Sequence, residues 1–176
     1  MRPVRPAPPS IPADPEDARK AAHGAALRLL AGREMSSARL RERLGARGYP
    51  EDVIQGIVER LTQVGILDDR RASLAAARTL VAVRHRGRHR VARELERFGF
   101  SKEQAQDATE SVLAETDEGE VVAKVVASKL RGRRSIADPA SYRRLYAALL
   151  RRGFPADLIR TALRPYWQHR AEPQQE

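Results

Sequence analysis

One helix-turn-helix junction is written three times in this chain, as Gly48-Tyr49-Pro50, Gly99-Phe100-Ser101 and Gly153-Phe154-Pro155, at spacings of 51 and 54 residues. Each copy sits in the same apolar frame. Leu44, Leu95 and Leu149 stand four residues before the glycine, and Ile54, Ala105 and Ile159 stand six after it. Leu40, Val91 and Leu145 extend the match one helical turn upstream, and Leu61, Val112 and Tyr166 extend it thirteen residues downstream. A period of roughly fifty residues marks tandem modules. Any helical bundle uses glycine stops, but stops alone do not require matching apolar residues on both sides.

The junction has a direct physical reading. A glycine just past a helix can take the left-handed conformation that closes the last turn, and the aromatic after it can fold back onto the preceding apolar face. Pro50 and Pro155 lack a donor that the first turn of a helix does not need, and Ser101 with Gln104 has capping-box spacing, so a new helix starts at once.

Extended along the chain, this pattern predicts an all-α fold of three tandem three-helix repeats in an elongated arrangement. The first repeat reads as helices over about 17–31, 36–47 and 50–64, closed by Gly65 and followed by a cap at Asp68 or Asp69. The second reads as 69–84, 87–98 and 101–113. The third starts near Asp117, with Glu120 at capping-box distance, breaks around Gly132 and restarts at Asp138-Pro139. Nothing reads as a strand, since Val121, Val122, Val125 and Val126 keep helical spacing. The expected organisation is a disordered or extended arm over 1–16, which holds six of the eleven prolines, repeats over 17–66, 67–115 and 116–168, and a polar tail over 169–176. Leu27, Leu30, Leu74, Leu80 and Leu130 are expected inside each unit or at its borders. Three units of roughly 20 Å each would make a row on the order of 60 Å.

Charge points to the kind of partner. The 176-residue chain carries a net charge of +10, which marks a candidate for binding nucleic acid or an acidic protein surface. Six arginines face two glutamates between Arg84 and Phe100, and nine basic residues face only Asp138 between Val121 and Arg152. Between these blocks, Ser101 to Glu120 holds seven acids against Lys102. Scattered cations such as Arg39, Arg41 and Arg60 are better read as solvated faces. The sharper cluster is Arg84, Arg86, Arg88 and Arg90, interleaved with His85, Gly87 and His89 and continued by Arg93. Its glycine would let a phosphate approach closely, or act as a simple hinge. Lys129, Arg131, Arg133 and Arg134, with Arg143 and Arg144 beyond, form a second cluster, although cations at a helix end also favour its dipole for purely structural reasons. Tyr49, Phe100 and Phe154 are occupied at the junctions and the arginine cluster holds no aromatic, so contact with DNA is expected through backbone phosphates, with weak sequence specificity and steep salt dependence.

Catalytic constellations find little support. His85 and His89 have the spacing of a helical zinc pair, but Gly87 lies between them, no third ligand is evident and arginines flank both. No phosphate-cradling glycine loop ends in Lys-Ser or Lys-Thr, and no nucleophile stands beside a recognisable base. The expectation is no enzyme activity, no cofactor, no metal and no membrane span. With no cysteine in the chain, a reducing cytoplasmic setting is comfortable.

The run Gly65-Ile66-Leu67-Asp68-Asp69, the glycine at Gly87 followed by Val91, Glu94 and Leu95, the Gly99-Phe100 junction and the late Leu150-Arg151-Arg152-Gly153-Phe154 together resemble the RecX family of bacterial recombination regulators, over about Ala25 to Trp167. The chain departs from that family's pattern at Ala72-Ser73, where the family carries an aromatic followed by a small residue. The resemblance implies tandem three-helix repeats and a non-catalytic protein that lodges along the groove of the RecA–DNA filament. There it would limit filament extension, ATP hydrolysis and strand exchange in DNA repair, homologous recombination and the SOS response. Many family members also bind DNA. The expected partners are therefore the RecA filament and DNA, engaged by a cytoplasmic monomer, with the two basic clusters as contact residues. The alternative is a general DNA-binding helical-repeat protein that acts through phosphate contacts alone.

Overall fold

In the computed structural model, which describes residues 14–32, 35–132 and 134–167, the three junction glycines Gly48, Gly99 and Gly153 hold φ of +86°, +91° and +90°. The same two hydrogen bonds recur at each. The glycine amide donates to the carbonyl three residues back (Gly45, Glu96 and Leu150), and the aromatic amide donates to the frame leucine (Leu44, Leu95 and Leu149). This is the Schellman closure, and it brings the aromatic onto the leucine whose carbonyl it caps. Tyr49, Phe100 and Phe154 are accordingly buried, with Leu44, Leu95 and Leu149 beside them in the cores.

Among the described residues these closures separate nine α-helices. Helices α1 (Pro15–Ala31), α2 (Ser37–Gly45) and α3 (Glu51–Gln63) form the first unit, and α4 (Asp69–Arg78), α5 (Arg88–Arg97) and α6 (Lys102–Ala114) the second. The third comprises α7 (Glu118–Leu130), α8 (Pro139–Arg151) and α9 (Ala156–Leu163). Within each unit the first and the middle helices both pack on the third. No strand occurs among the described residues; an isolated parallel bridge joins Ile136 to Trp167.

Several boundaries differ from expectation for identifiable reasons. Asp14 caps α1 by accepting the amides of Glu16 and Asp17, so the helix starts at Pro15, inside the stretch expected to be an arm. Most of that arm, the polar tail and Arg133 lie outside the described residues. Pro50 and Pro155 are the N-caps of α3 and α9 and not first-turn residues; each carbonyl accepts the first helical bond, as that of Ser101 does for α6. Ser101 and Gln104 make the full capping box. Asp117 caps α7 through Gly119, without the help expected from Glu120.

The fourth helix does not run on to Arg84. It widens at Thr79–Val83 into a π-turn, where the Thr79 hydroxyl donates to the Ala75 carbonyl and the Arg84 amide reaches Thr79. A side-chain bond back into the preceding turn bends a helix, and the extra residue places Leu80 and Val81 both in the core. His85, at φ +48°, then closes the segment as Arg86 donates to Leu80.

Leu40, Leu44, Ile54 and Leu61 centre a core confined to the first unit and the adjoining Leu67. The second and third units share one continuous cluster from Ala72 to Leu163. Leu80 and Leu130 are buried, Leu30 and Leu74 pack at core edges, and Leu27 is partly exposed at the border of the first unit, where it lines a cavity with Ile66, Leu67 and Ala72.

Candidate nucleic-acid and partner interface

The two joints between units are built on one plan. The start of a middle helix seats against the glycine junction of the following unit. At the first joint, Ser36 caps α2 through the Arg39 amide while its hydroxyl donates to the Phe98 carbonyl at 2.8 Å. At the second, Gly87 caps α5; its amide donates to the Arg152 carbonyl at 2.9 Å and the His89 amide to that of Gly153 at 3.1 Å. The approach is so close that a Cβ on Gly87 would lie 2.4 Å from the Phe154 nitrogen, and one on Gly153 2.3 Å from the Arg90 nitrogen. Gly87 is thus a contact point for protein backbone, which accounts for the glycine that the sequence reading assigned to phosphate approach or a hinge.

A carboxylate completes each joint. Asp69 accepts the Ser37 amide at 2.7 Å and the Ser37 hydroxyl at 2.8 Å. Glu118 accepts the Arg88 amide at 2.8 Å and the Arg88 Nε at 2.8 Å. Ser37 and Arg88 are the first residues of α2 and α5, and Asp69 and Glu118 are the first residues of α4 and α7. An anion at a helix N-terminus satisfies a free amide and faces the favourable end of the dipole. Asp68 and Asp69, read as alternative caps, have separate jobs: Asp68 caps α4 by accepting the Arg71 amide, and Asp69 ties α4 to α2.

The central arginine cluster divides along these lines. Arg88 grips Glu118, whose side chain is buried. Arg90 Nε lies 2.6 Å from Glu94 Oε1, and Arg86 Nε lies 3.6 Å from the same oxygen without a hydrogen bond. Glu94, a polar residue of the interior, holds both guanidinium groups against α5. Arg93 is exposed and donates from Nε to the His89 carbonyl. Arg84 is exposed and turns toward the first joint. There it lines a groove of about 510 Å³ together with Arg39, Arg43 and Arg97, over a floor that includes Met35, Leu80 and Phe100.

In the second cluster, Lys129 and Arg131 are exposed at the end of α7, where Arg131 is the left-handed cap, and Arg134 is exposed in the loop that follows. Arg143 and Arg144 project from α8, and Arg144 donates to the Ser141 hydroxyl beside the Asp138 cap. His85 lies in the loop and His89 on α5; among the described residues no three histidine, cysteine or acidic side chains are grouped as a metal would need. No described helix is long and apolar enough to cross a membrane.

Two features escaped the sequence reading. Arg39, taken there as a solvated cation, lines the groove with Arg43 and Arg97, and Phe98 stands among them 40% exposed. The repeat spacing of 51 pairs Ser37 with Arg88, whereas Asp69 and Glu118 stand 49 apart and are equivalent only as the first residues of α4 and α7.

A row of three-helix units, stacked through equivalent joints and bearing exposed arginines beside them, defines an all-helical repeat protein. Family models for the first and third three-helix domains of RecX match residues 22–61 and 117–163. The regulatory protein RecX of Trichlorobacter lovleyi is 36% identical over 140 residues, covering 77% of this chain and 89% of its own length. That of Mycobacterium ulcerans is 36% identical over 132 residues, covering 73% and 74%. The crystal structure of RecX from Lactobacillus salivarius superposes with a TM-score of 0.69 at 21% identity, over 85% of this chain and 96% of that one. A second crystal structure, of a regulatory protein RecX, gives 0.71 at 18%, over 84% and 72%. The chain belongs to the RecX family of regulatory proteins.

Proposed function

We propose that this protein regulates the RecA recombinase without catalysis, by binding along the RecA–DNA filament and limiting its extension, ATP hydrolysis and strand exchange. The observation that carries this reading is the repeated joint. Ser37 with Asp69 and Arg88 with Glu118 set successive three-helix units in equivalent contacts, so the molecule presents like surfaces at intervals. A partner that is itself a row of identical protomers matches such a surface. In this reading the units over 17–66, 67–115 and 116–168 meet adjacent RecA protomers, and the protein works as a monomer in the cytoplasm, where the filament forms.

Both basic clusters belong to the proposed interface, with different duties. Arg84 and Arg93 are exposed and make no ion pair among the described residues, which leaves them available to a partner. Arg86, Arg88 and Arg90 are engaged by Glu94 and Glu118 and contribute the charge of the surface while holding its shape. Lys129, Arg131, Arg133, Arg134, Arg143 and Arg144 supply the contacts of the third unit. The test is DNA-dependent ATP turnover by the recombinase of the same organism, with wild-type protein and with Arg84→Ala combined with Arg93→Ala. The wild type should slow turnover, and the double variant should slow it less while keeping its helicity and melting temperature.

A second reading, a general DNA-binding repeat protein, draws on the same exposed arginines. Binding to RecA in the absence of DNA separates the two, because only the first reading predicts it.

A further inference from the structure

The groove at the first joint carries charge and apolar surface together. Arg43, Arg84 and Arg97 line it with no ion pair or side-chain hydrogen bond among the described residues, while Arg39 shares Glu42. Among the described residues no acidic side chain lines it. Phe98, at the end of α5, is fixed by its backbone, since its carbonyl accepts the Ser36 hydroxyl; the residue is left 40% exposed and lines the groove with these arginines.

We propose that this groove seats single-stranded nucleic acid, with a base stacked on Phe98 and neighbouring phosphates held by Arg43, Arg84 and Arg97. The inference rests on the DNA-contact part of the functional reading and deepens it, replacing a contact with phosphates alone by one that also reads an unpaired base. An exposed ring within a basic groove is the arrangement that binds single strands irrespective of sequence, because every base offers a flat face. Stacked bases in a duplex have no free face to give. The groove volume of about 510 Å³ accommodates a nucleotide-sized group. An acidic peptide would satisfy the arginines, but it would need an apolar side chain placed between carboxylates. Single-stranded nucleic acid carries one phosphate and one flat apolar face in every unit.

Fluorescence anisotropy on the full chain tests this with four probes: a labelled oligothymidylate, an abasic oligomer of equal phosphate count, a duplex, and an oligoglutamate containing one phenylalanine. Oligothymidylate should bind about tenfold more tightly than the abasic oligomer. Phe98→Ala should abolish that difference without altering duplex affinity, and Phe98→Tyr should preserve it. Arg84→Ala with Arg97→Ala should weaken binding of both oligomers and flatten its salt dependence. Equal affinity for the two oligomers, an undiminished preference in Phe98→Ala, or displacement of oligothymidylate by the peptide at lower concentration would each overturn the proposal. If the base preference is absent while RecA still binds, this inference fails and the regulatory reading stands. If RecA also fails to bind, both fail.

Discussion

Asp69 takes the backbone amide and the hydroxyl of Ser37 on its two carboxylate oxygens, at 2.7 and 2.8 Å, and thereby joins α4 to the start of α2 across the border between two units. The same bond pattern returns at the next border, where Glu118 takes the amide and Nε of Arg88. A carboxylate facing a helix N-terminus gains from the free amide and from the dipole together. Stacking is therefore directional: each unit offers a helix start to a carboxylate of its successor.

Removing either carboxylate should loosen its joint. Glu118→Ala leaves the Arg88 amide without its anion and should cost about 2 kcal/mol, the range of hydrogen bonds to charged groups. The guanidinium adds little, because half of the Arg88 side chain is exposed. Asp69→Ala should cost about 1–2 kcal/mol by the same reasoning. The double variant should be close to the sum, since the joints share no residue. Urea unfolding measures all three, and an unchanged midpoint in both single variants would remove the carboxylates from the account of stacking.

Two glycine substitutions should move stability in opposite directions. Gly153 has φ +90° and an added Cβ would meet the Arg90 backbone at 2.3 Å, so Gly153→Ala must separate the second and third units. The loss should exceed about 3 kcal/mol. Gly56 lies within α3 with nothing inside 4 Å of an added Cβ, so Gly56→Ala should stabilise by about 0.5–1 kcal/mol. Thermal unfolding of the two variants reads both signs. A Gly153→Ala protein as stable as the wild type would contradict the close approach.

The Asp138 cap gives α8 a dependence on pH. The Ser141 hydroxyl and then its backbone amide donate to the carboxylate, at 2.7 and 2.8 Å, and hold its pKa below the ordinary aspartate value. A native value lower than the unfolded one makes the cap's contribution complete above the ordinary carboxylate range and lost as pH falls through the lowered native value. Asp138→Ala should therefore melt below the wild type at neutral pH, and the gap should narrow with acidification. A gap that stays constant into acid would show that ionisation of Asp138 does not matter to the cap.

How much of this was legible in the chain follows from the range of the interactions. Leu95, Gly99 and Phe100 declare their closure locally, because left-handed glycine, aromatic and apolar frame lie within six residues of one another. Asp138-Pro139 and Ser101-Gln104 are equally local caps, and both were readable. The partner of Asp69 lies 32 residues away and that of Glu118 lies 30 away, so their roles appear only once the units are stacked. Arg86, Arg88 and Arg90 looked like a free cluster because their carboxylates, Glu94 and Glu118, become neighbours through the turn of α5 and the seating of α7. The π-turn at Thr79–Val83 keeps an apolar pattern that a regular helix would share, and Phe98 is one residue removed from the buried junction that masked it.

The central claim is that a non-catalytic row of helical units acts by binding along a RecA filament. The most direct measurement is the rate of DNA-dependent ATP hydrolysis by the recombinase of the same organism as this protein is added at fixed DNA. The account predicts a fall in rate at fewer molecules of this protein than of recombinase, because in the proposed reading one row would span several protomers, and a weaker fall for Arg84→Ala with Arg93→Ala. A rate that stays unchanged at molar excess of the folded protein would contradict it.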